Sequence, residues 1–157
     1  MFNSEREMQS LFVALLKQRK TCGLIFEEVG NRNFFFRTDI VEYKDRRQII
    51  GYELKLKDFN KLIKQSIYNL SLYDKSYIVI PKDKIESLKK IIEKYPEQEK
   101  INKIGIIVID EKGYKTIKAP CKESTRDYKD SWKVTLISDL IIRGYHKLGE
   151  NKLKSYK

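Results

Sequence analysis

The chain of 157 residues has a single histidine, His146, and only two cysteines, Cys22 and Cys121, which lie far apart. One imidazole cannot supply a zinc site with several histidine ligands, and neither cysteine has the C-x-x-C spacing of metal or redox sites. A Ser/His/Asp triad would have to use that one histidine near the C-terminus. These shortages argue against zinc and triad chemistry, and we interpret both cysteines as reduced packing residues.

Long apolar runs and glycine-rich loops are missing as well. No segment approaches the roughly 18 to 20 consecutive apolar residues that are needed to cross a bilayer. No dinucleotide fingerprint or Walker-type lysine is present. Residues 1–7 carry charges of both signs and do not form the apolar stretch of a signal peptide. We therefore expect a cytoplasmic protein that has no membrane partner.

Charge is abundant, and most of it is positive. The chain has 33 Lys and Arg against 22 Asp and Glu, which gives a net charge of +11. An excess of this size attracts polyanions and favours contact with nucleic-acid phosphates. A lysine bias of the kind that an AT-rich genome produces is the alternative explanation. The charge therefore indicates a class of partner but names no reaction.

Hydrophobic periodicity predicts a single α/β domain over residues 1–157 with a central mixed sheet. The predicted order is helix, three-strand meander, helix, strand, helix, strand pair and final helix. The predicted ranges are 4–21, 24–29, 33–43, 48–57, 58–70, 77–80, 83–95, 104–109, 114–118 and 130–148. The apolar run ended by Pro81 is typical of a buried parallel strand. We expect Trp132 and the last helix to close the core or to form a dimer contact.

Two acidic residues and a lysine are predicted to meet on the meander. With a turn near residue 45, Asp39 lies opposite Tyr52 or Glu53, and opposed residues have Cβ atoms about 4.5 to 5.5 Å apart. Glu53 and Lys55 are two residues apart in a strand and therefore project from the same face. The alternative is an ordinary solvated sheet face, where such neighbours are common. The apolar run around Glu53 disfavours that alternative, because an unpaired charge there is costly.

Neighbouring carboxylates repel each other unless a proton or a cation lies between them. Their oxygens suit Mg²⁺ or Mn²⁺, and a bound cation can polarise a phosphodiester and lower the pKa of an attacking water. Lys55 would orient that water, help to deprotonate it or stabilise the developing negative charge. The trio therefore predicts hydrolytic chemistry on a phosphodiester.

Asp39, followed on the next strand by Glu53-Leu54-Lys55, resembles the signature of the PD-(D/E)XK nuclease superfamily. That superfamily includes restriction endonucleases and Holliday-junction resolvases. Its core is a helix, a three-strand meander, a helix and a further strand, and the predicted elements from Ser4 to Ile80 follow the same order. The resemblance implies a restriction-endonuclease-like α/β fold with an extra C-terminal β-hairpin and helix. One departure is Thr38, which stands where the motif's name has proline.

The resemblance also implies roles for these residues. Asp39 and Glu53 become the ligands of Mg²⁺, for which Mn²⁺ would substitute. The backbone carbonyl of Leu54 becomes a further ligand, and Lys55 becomes the catalytic lysine.

Many members of the superfamily also place a glutamate near the start of the first helix. Glu5 fits this position best and Glu7 less well, although interaction with the helix N-terminus is an equally good explanation for Glu5. Gln65 resembles a glutamine that some members use to support the lysine or the substrate, and the alternative is a solvated side chain. Basic residues near the site could hold phosphates: Arg37, Arg46, Arg47, Lys57, Lys61 and Lys64.

The expected function is therefore a metal-dependent nuclease that hydrolyses DNA, with RNA as an open alternative. We expect an endonuclease that is structure-specific or belongs to a defence or mobile-element system. It would act as a homodimer or as a subunit of a larger nuclease assembly. One alternative is a catalytically inactive nucleic-acid-binding protein on the same fold. Another is a protein-interaction domain of an unrelated α/β fold.

Overall fold

The computed structural model describes residues 1–30, 37–44 and 48–121. Contacts group the chain into Met1–Ser124 and Thr125–Lys157, and everything below concerns the first of these units. The first part of the predicted second strand, the hairpin turn with Arg46 and Arg47, and the predicted final helix with Trp132 lie outside the described residues. That residues 1–157 form a single domain stays a prediction.

Six strands of the described residues form one mixed sheet, in the order β1 to β6. Strands β1, β2 and β3 are antiparallel, β4 is parallel to both β3 and β5, and β6 is antiparallel to β5. The prediction of an α/β protein with a mixed sheet is thus confirmed. The elements are α1 (Glu5–Lys17), β1 (Leu24–Val29), β2 (Thr38–Lys44), β3 (Gln48–Leu54), α2 (Phe59–Leu70), β4 (Lys75–Pro81), a 3₁₀ turn (Lys82–Lys84), α3 (Ile85–Lys94), α4 (Gln98–Ile101), β5 (Gly105–Asp110) and β6 (Gly113–Lys118).

The first helix begins where the sequence predicts and ends earlier. Its start is capped, because Ser4 Oγ accepts from the Glu7 amide at 3.1 Å and the Glu7 carboxylate accepts from the Asn3 amide at 3.1 Å. It ends at Lys17 rather than near residue 21. At this end the Arg19 amide and the Arg19 Nε both donate to the Leu16 carbonyl, at 3.2 and 3.3 Å, which satisfies an acceptor that the helix leaves unpaired. No described helix is long and apolar enough to cross a membrane.

Helices cover both faces of the sheet. On one face, Met8, Phe12, Val13 and Leu16 of α1 pack against β2 and β3. On the other face, the buried residues of α2, α3 and α4 pack against β4 and β5. Each such side chain contributes about 1.5 to 3 kcal/mol when it is fully buried. Strand β3 lies between these layers and is buried from Ile49 to Leu54, so Glu53 is held inside the protein by its neighbours.

Gly51, in the middle of β3, makes room for an aromatic ring. A Cβ atom at this position would lie 2.4 Å from Cδ2 of Tyr73, which is closer than side chains approach. Tyr73 is fully buried and belongs to the turn that follows α2. The missing side chain at Gly51 therefore sets where the Tyr73 ring lies.

Candidate active site

Asp39 and Glu53 face each other at the point where the β2–β3 ladder ends. The last backbone pair is Ile40 with Tyr52, and the same register places Asp39 opposite Glu53 one step further on. There the Asp39 side chain replaces a backbone acceptor, because its Oδ2 accepts from the Leu54 amide at 2.9 Å. Strand β3 ends at Leu54, three residues before its predicted end.

Glu53 is 1% exposed, and only one of its two carboxylate oxygens is satisfied. Oε1 accepts from Asn69 Nδ2 at 3.1 Å, whereas Oε2 is buried and has no hydrogen-bond partner. Burial, repulsion from Asp39 and a side-chain contact in which Glu53 would share a proton with Asp39 raise the pKa of Glu53 well above its usual value. Hydrogen bonds from Asn69 and from the Asp39 backbone oppose that rise. A buried acceptor left unpaired costs about 1 to 3 kcal/mol, and more when it is charged. A cation or a proton at Oε2 would remove that cost.

Asp39 is less buried and has a second acidic neighbour. Burial raises its pKa, the hydrogen bond from Leu54 opposes that rise, and repulsion from Glu28 adds to it. Glu28 lies opposite Asp39 in the β1 register and has a left-handed φ of 53°, which is costly for a residue with a side chain. Gln9 of α1 links the two strands, because its Nε2 lies 3.3 Å from Glu28 Oε1 and 3.4 Å from the Asp39 carbonyl oxygen.

Lys55 lies beside the first turn of α1. Its Nζ is 3.7 Å from Oε1 of Glu5, and its side chain is more buried than that of Glu5, at 17% against 45% exposed. The Lys55 amide still donates to the Val79 carbonyl at 3.3 Å, which holds the residue against β4 beyond the end of β3. The structure therefore brings Glu5 to Lys55. Glu5 also lies in the first turn of α1, so the alternative explanation, a favourable interaction with the helix N-terminus, fits the structure equally well.

The donor set suits a cation that retains water. Within the described residues, no three His, Cys, Asp or Glu side chains are grouped so that they could hold a metal ion. Two carboxylates and the Leu54 carbonyl would leave several coordination positions to solvent, which is how Mg²⁺ is commonly bound. The unpaired Oε2 of Glu53 is the observation that fits such an ion.

The positions of the remaining predicted residues neither support nor exclude a role in the site. Gln65 has a buried Oε1 without a hydrogen-bond partner among the described residues, and no described hydrogen bond joins Gln65 to Lys55. Arg46 and Arg47 lie outside those residues. The other basic candidates are all exposed: Arg37, Lys57, Lys61 and Lys64.

Sequence reasoning missed a buried polar chain behind Glu53. The Oγ1 atom of Thr38 lies 3.4 Å from Asn69 Oδ1 and 2.6 Å from the Tyr73 hydroxyl oxygen. All three side chains are buried. One signal could have pointed to Asn69, which lies three residues after Ser66 and seven after Leu62 on the buried stripe of α2. Thr38 stood out only as a departure from the motif.

A second glutamate, Glu42 on β2, is equally buried and has different partners. Its Oε2 accepts from Arg19 Nη2 at 2.7 Å and from the Gly23 amide at 3.1 Å, and its Oε1 accepts from the Tyr52 hydroxyl at 2.7 Å. Burial alone would raise the pKa of Glu42, but these hydrogen bonds outweigh burial and lower it. Both oxygens are satisfied, so Glu42 is a structural carboxylate.

The described part of the chain is an α/β fold with a mixed six-stranded sheet. A pair of facing carboxylates lies where the β2–β3 ladder ends. The chain is similar in structure to the SPO1766 protein of unknown function from Silicibacter pomeroyi. The TM-score is 0.59 at 16% sequence identity, over 82% of this chain and 79% of that one. At this identity the likeness shows a shared fold alone. No family model matches the chain, and no curated protein matches it significantly.

Proposed function

We propose that this chain is a metal-dependent nuclease of the PD-(D/E)XK type that hydrolyses DNA phosphodiester bonds as an endonuclease. The observation that carries the proposal is the buried, unpaired Oε2 of Glu53 beside Asp39. Folded proteins rarely leave a buried carboxylate oxygen unpaired, and a bound ion or a catalytic role is one of the recognised reasons. Lys55 follows Glu53 by two residues and would supply the positive charge that the motif requires.

The order of elements supports the same assignment. From α1 to β4 the chain runs helix, antiparallel meander, helix and a strand parallel to β3. This is the order that the resemblance implies for a restriction-endonuclease-like core. Strands β5 and β6 would then be the additional C-terminal hairpin.

Each residue of the site has a task in the proposed reaction. A bound Mg²⁺ supplies positive charge, which polarises the phosphodiester and acidifies a water. Asp39 and Glu53 hold the ion, and the hydrogen bond from the Leu54 amide keeps Asp39 in place. Lys55 orients the attacking water or stabilises the negative charge that develops on the phosphate.

Residues around the site would position the lysine and the substrate. Glu5 keeps the Lys55 ammonium near the end of β3 through their ion pair. The exposed cations Lys57, Lys61, Lys64 and Arg37 bind flanking phosphates.

The charge of the chain supports a class of substrate. A net charge of +11 favours a polyanion, and phosphate contacts alone do not distinguish DNA from RNA. Recognition of branched DNA is the more specific form of the proposal. A homodimer would place two active sites for paired cuts, and a larger defence or mobile-element assembly is the other arrangement. Action in the cytoplasm stays a prediction.

The test is cleavage of labelled four-way junctions, flaps, linear duplex, single-stranded DNA and RNA in Mg²⁺, Mn²⁺ or EDTA. Wild type is compared with Asp39→Asn, Glu53→Gln and Lys55→Ala. Glu93→Gln and Lys90→Ala, at exposed positions of α3, are the matched controls. We expect metal-dependent cutting that the three site substitutions abolish and the two controls leave intact.

Two other results would replace the proposal. If nothing is cut and all variants bind DNA equally, the chain is a nucleic-acid-binding protein on this fold without catalysis. If DNA binding is feeble at physiological salt and divalent ions have no effect, the chain is an interaction domain whose charge reflects lysine bias.

A further inference from the structure

The buried side chains behind Glu53 form hydrogen bonds that run in one direction. Asn69 donates from Nδ2 to Glu53, so its Oδ1 faces Thr38 and can only accept. The single hydroxyl proton of Thr38 therefore goes to Asn69. Either hydroxyl could donate in the 2.6 Å contact between Thr38 Oγ1 and Tyr73, and the tyrosine proton is the one that is used when Thr38 donates to Asn69. The direction is Tyr73 to Thr38 to Asn69 to Glu53.

Backbone hydrogen bonds hold the residues of this hydrogen-bonded series in place. The Asn69 carbonyl oxygen accepts from the Tyr73 amide at 2.9 Å and from the Leu72 amide at 3.1 Å, which closes the turn after α2. The Tyr73 ring occupies the space that Gly51 leaves on β3. If the Asn69 amide turned over, its Oδ1 would face the carboxylate of Glu53 and two acceptors would meet. The turn, the ring and the strand together keep the amide in one orientation.

We propose that Tyr73, Thr38 and Asn69 are a positioning relay, which holds Oε1 of Glu53 and leaves Oε2 free for the divalent cation. This inference rests on the proposed nuclease function. None of the three touches the scissile phosphate, and they act through Glu53. Groups that orient metal ligands in this way commonly change metal affinity or activity by about 10- to 100-fold when they are removed.

The relay also explains the departure from the motif at residue 38. Proline has no hydroxyl and could neither accept from Tyr73 nor donate to Asn69. Thr38 therefore does more than occupy a variable position, because its Oγ1 is the link between a buried tyrosine and the amide that orients Glu53.

The experiment measures Mn²⁺ affinity by electron paramagnetic resonance, together with kcat and KM on the best-cleaved DNA substrate, using the full chain. The first pair of variants is Thr38→Val, which removes the hydroxyl at nearly constant shape, and Thr38→Ser, which restores it. Tyr73→Phe removes the first donor and keeps the ring against Gly51. Tyr52→Phe is the control, because it removes a buried hydroxyl that serves Glu42 instead.

We expect Thr38→Val and Tyr73→Phe to weaken Mn²⁺ binding about tenfold and to lower kcat while KM for DNA stays unchanged. Thr38→Ser should bind Mn²⁺ nearly as wild type does. Tyr52→Phe should lower stability without changing Mn²⁺ affinity. If Thr38→Val does not fold, Tyr73→Phe carries the comparison.

Contrary outcomes separate the relay from the function. If wild type binds Mn²⁺ and cleaves DNA while Thr38→Val and Tyr73→Phe do both equally well, the relay is overturned and the nuclease stands. If Tyr52→Phe weakens Mn²⁺ binding as much as Tyr73→Phe, the effect is general loosening and the relay is again overturned. A wild type that neither binds Mn²⁺ nor cuts any substrate overturns both.

Discussion

Glu42 and Glu53 lie on neighbouring strands and both have almost no exposed surface, but their hydrogen-bond partners differ. Glu42 receives hydrogen bonds from a guanidinium, a backbone amide and a phenol. Glu53 receives one from an amide and faces another acid. The pKa of Glu42 is lowered, and that of Glu53 is raised. Both side chains have almost no exposed surface, but Glu53 lies deeper in the protein and has fewer donors. Depth and partners together account for the opposite pKa shifts.

The difference arises from which chain segments close over each carboxylate. The turn between α1 and β1 brings Arg19 and the Gly23 amide to Glu42, and both are donors. The start of β2 brings Asp39 to Glu53, and Asp39 is an acceptor whose own carboxylate is engaged by the Leu54 amide. A cation between Asp39 and Glu53 would give Glu53 the compensation that Arg19 gives Glu42.

The largest expected effect is on DNA cleavage, where substitutions of Glu53 and of Glu42 should give the most different results. Glu53→Gln should lower single-turnover cleavage in Mg²⁺ by about a thousandfold, or roughly 4 kcal/mol in activation free energy, because a charged ligand is lost. Glu42→Gln, assayed well below its melting temperature, should cleave nearly as wild type does. Equal losses in the two variants would show that the two glutamates do not differ in role.

The next effect is on stability, and here the substitution at Glu42 should be the more harmful of the two. Glu42→Ala leaves the Tyr52 hydroxyl and the partly buried Arg19 without their acceptor, so we expect unfolding free energy to fall by about 3 kcal/mol. Urea denaturation measures it, with exposed Glu93→Ala as the matched control. A loss no larger than that of the control would mean that Glu42 is not held as its hydrogen bonds indicate.

A smaller effect, of reversed sign, is expected at Glu53 in EDTA at a pH above its raised pKa, where the carboxylate is charged. Glu53→Gln should raise unfolding free energy by about 1 kcal/mol, because it removes a buried charge while its amide can still accept from Asn69 and donate to Asp39. Thermal unfolding should show a higher Tm, and added Mn²⁺ should stabilise wild type but not the variant. A lower Tm in EDTA would contradict the unpaired state of Oε2.

The smallest effect is the pH dependence of stability in EDTA. Because the pKa of Glu53 in the folded state exceeds its ordinary value of 4.5, its contribution is present below that value and is lost as pH rises through the raised pKa. The pKa of Glu42 is lowered, so its contribution is present above 4.5 and is lost as pH falls through the lowered pKa.

Wild type should therefore lose stability relative to Glu53→Gln as pH rises, and relative to Glu42→Gln as pH falls. Each change should be on the order of 1 kcal/mol. Urea unfolding at a series of pH values measures both, and slopes of the same sign would contradict the assigned shifts.

Much of the described fold could be predicted because hydrophobic periodicity and helix caps are local features of the sequence. Strand β1 was predicted with its observed bounds, and the parallel character of β4 follows from its apolar run. The facing of Asp39 and Glu53 follows from hairpin register, which needs only a turn position.

What could not be predicted depends on contacts between distant segments. The contact of Arg19 with Glu42, a residue on another element, could not be read from the local sequence. The role of Thr38 depends on Tyr73, which lies 35 residues away. No local pattern distinguishes Glu42 from Glu53, because their partners come from elsewhere in the chain.

The β2–β3 hairpin carries both acids within a short stretch of chain, whereas the elements that bury Glu53 come later. Because its two strands are close in sequence, we expect the hairpin to pair before α2 docks, while Asp39 and Glu53 are still hydrated and their repulsion is weak. Docking of α2 and of the Tyr73 turn then removes water from Glu53. The repulsion should therefore act on this late step, so that docking is slower at high pH and faster when a divalent cation is already bound to the hairpin.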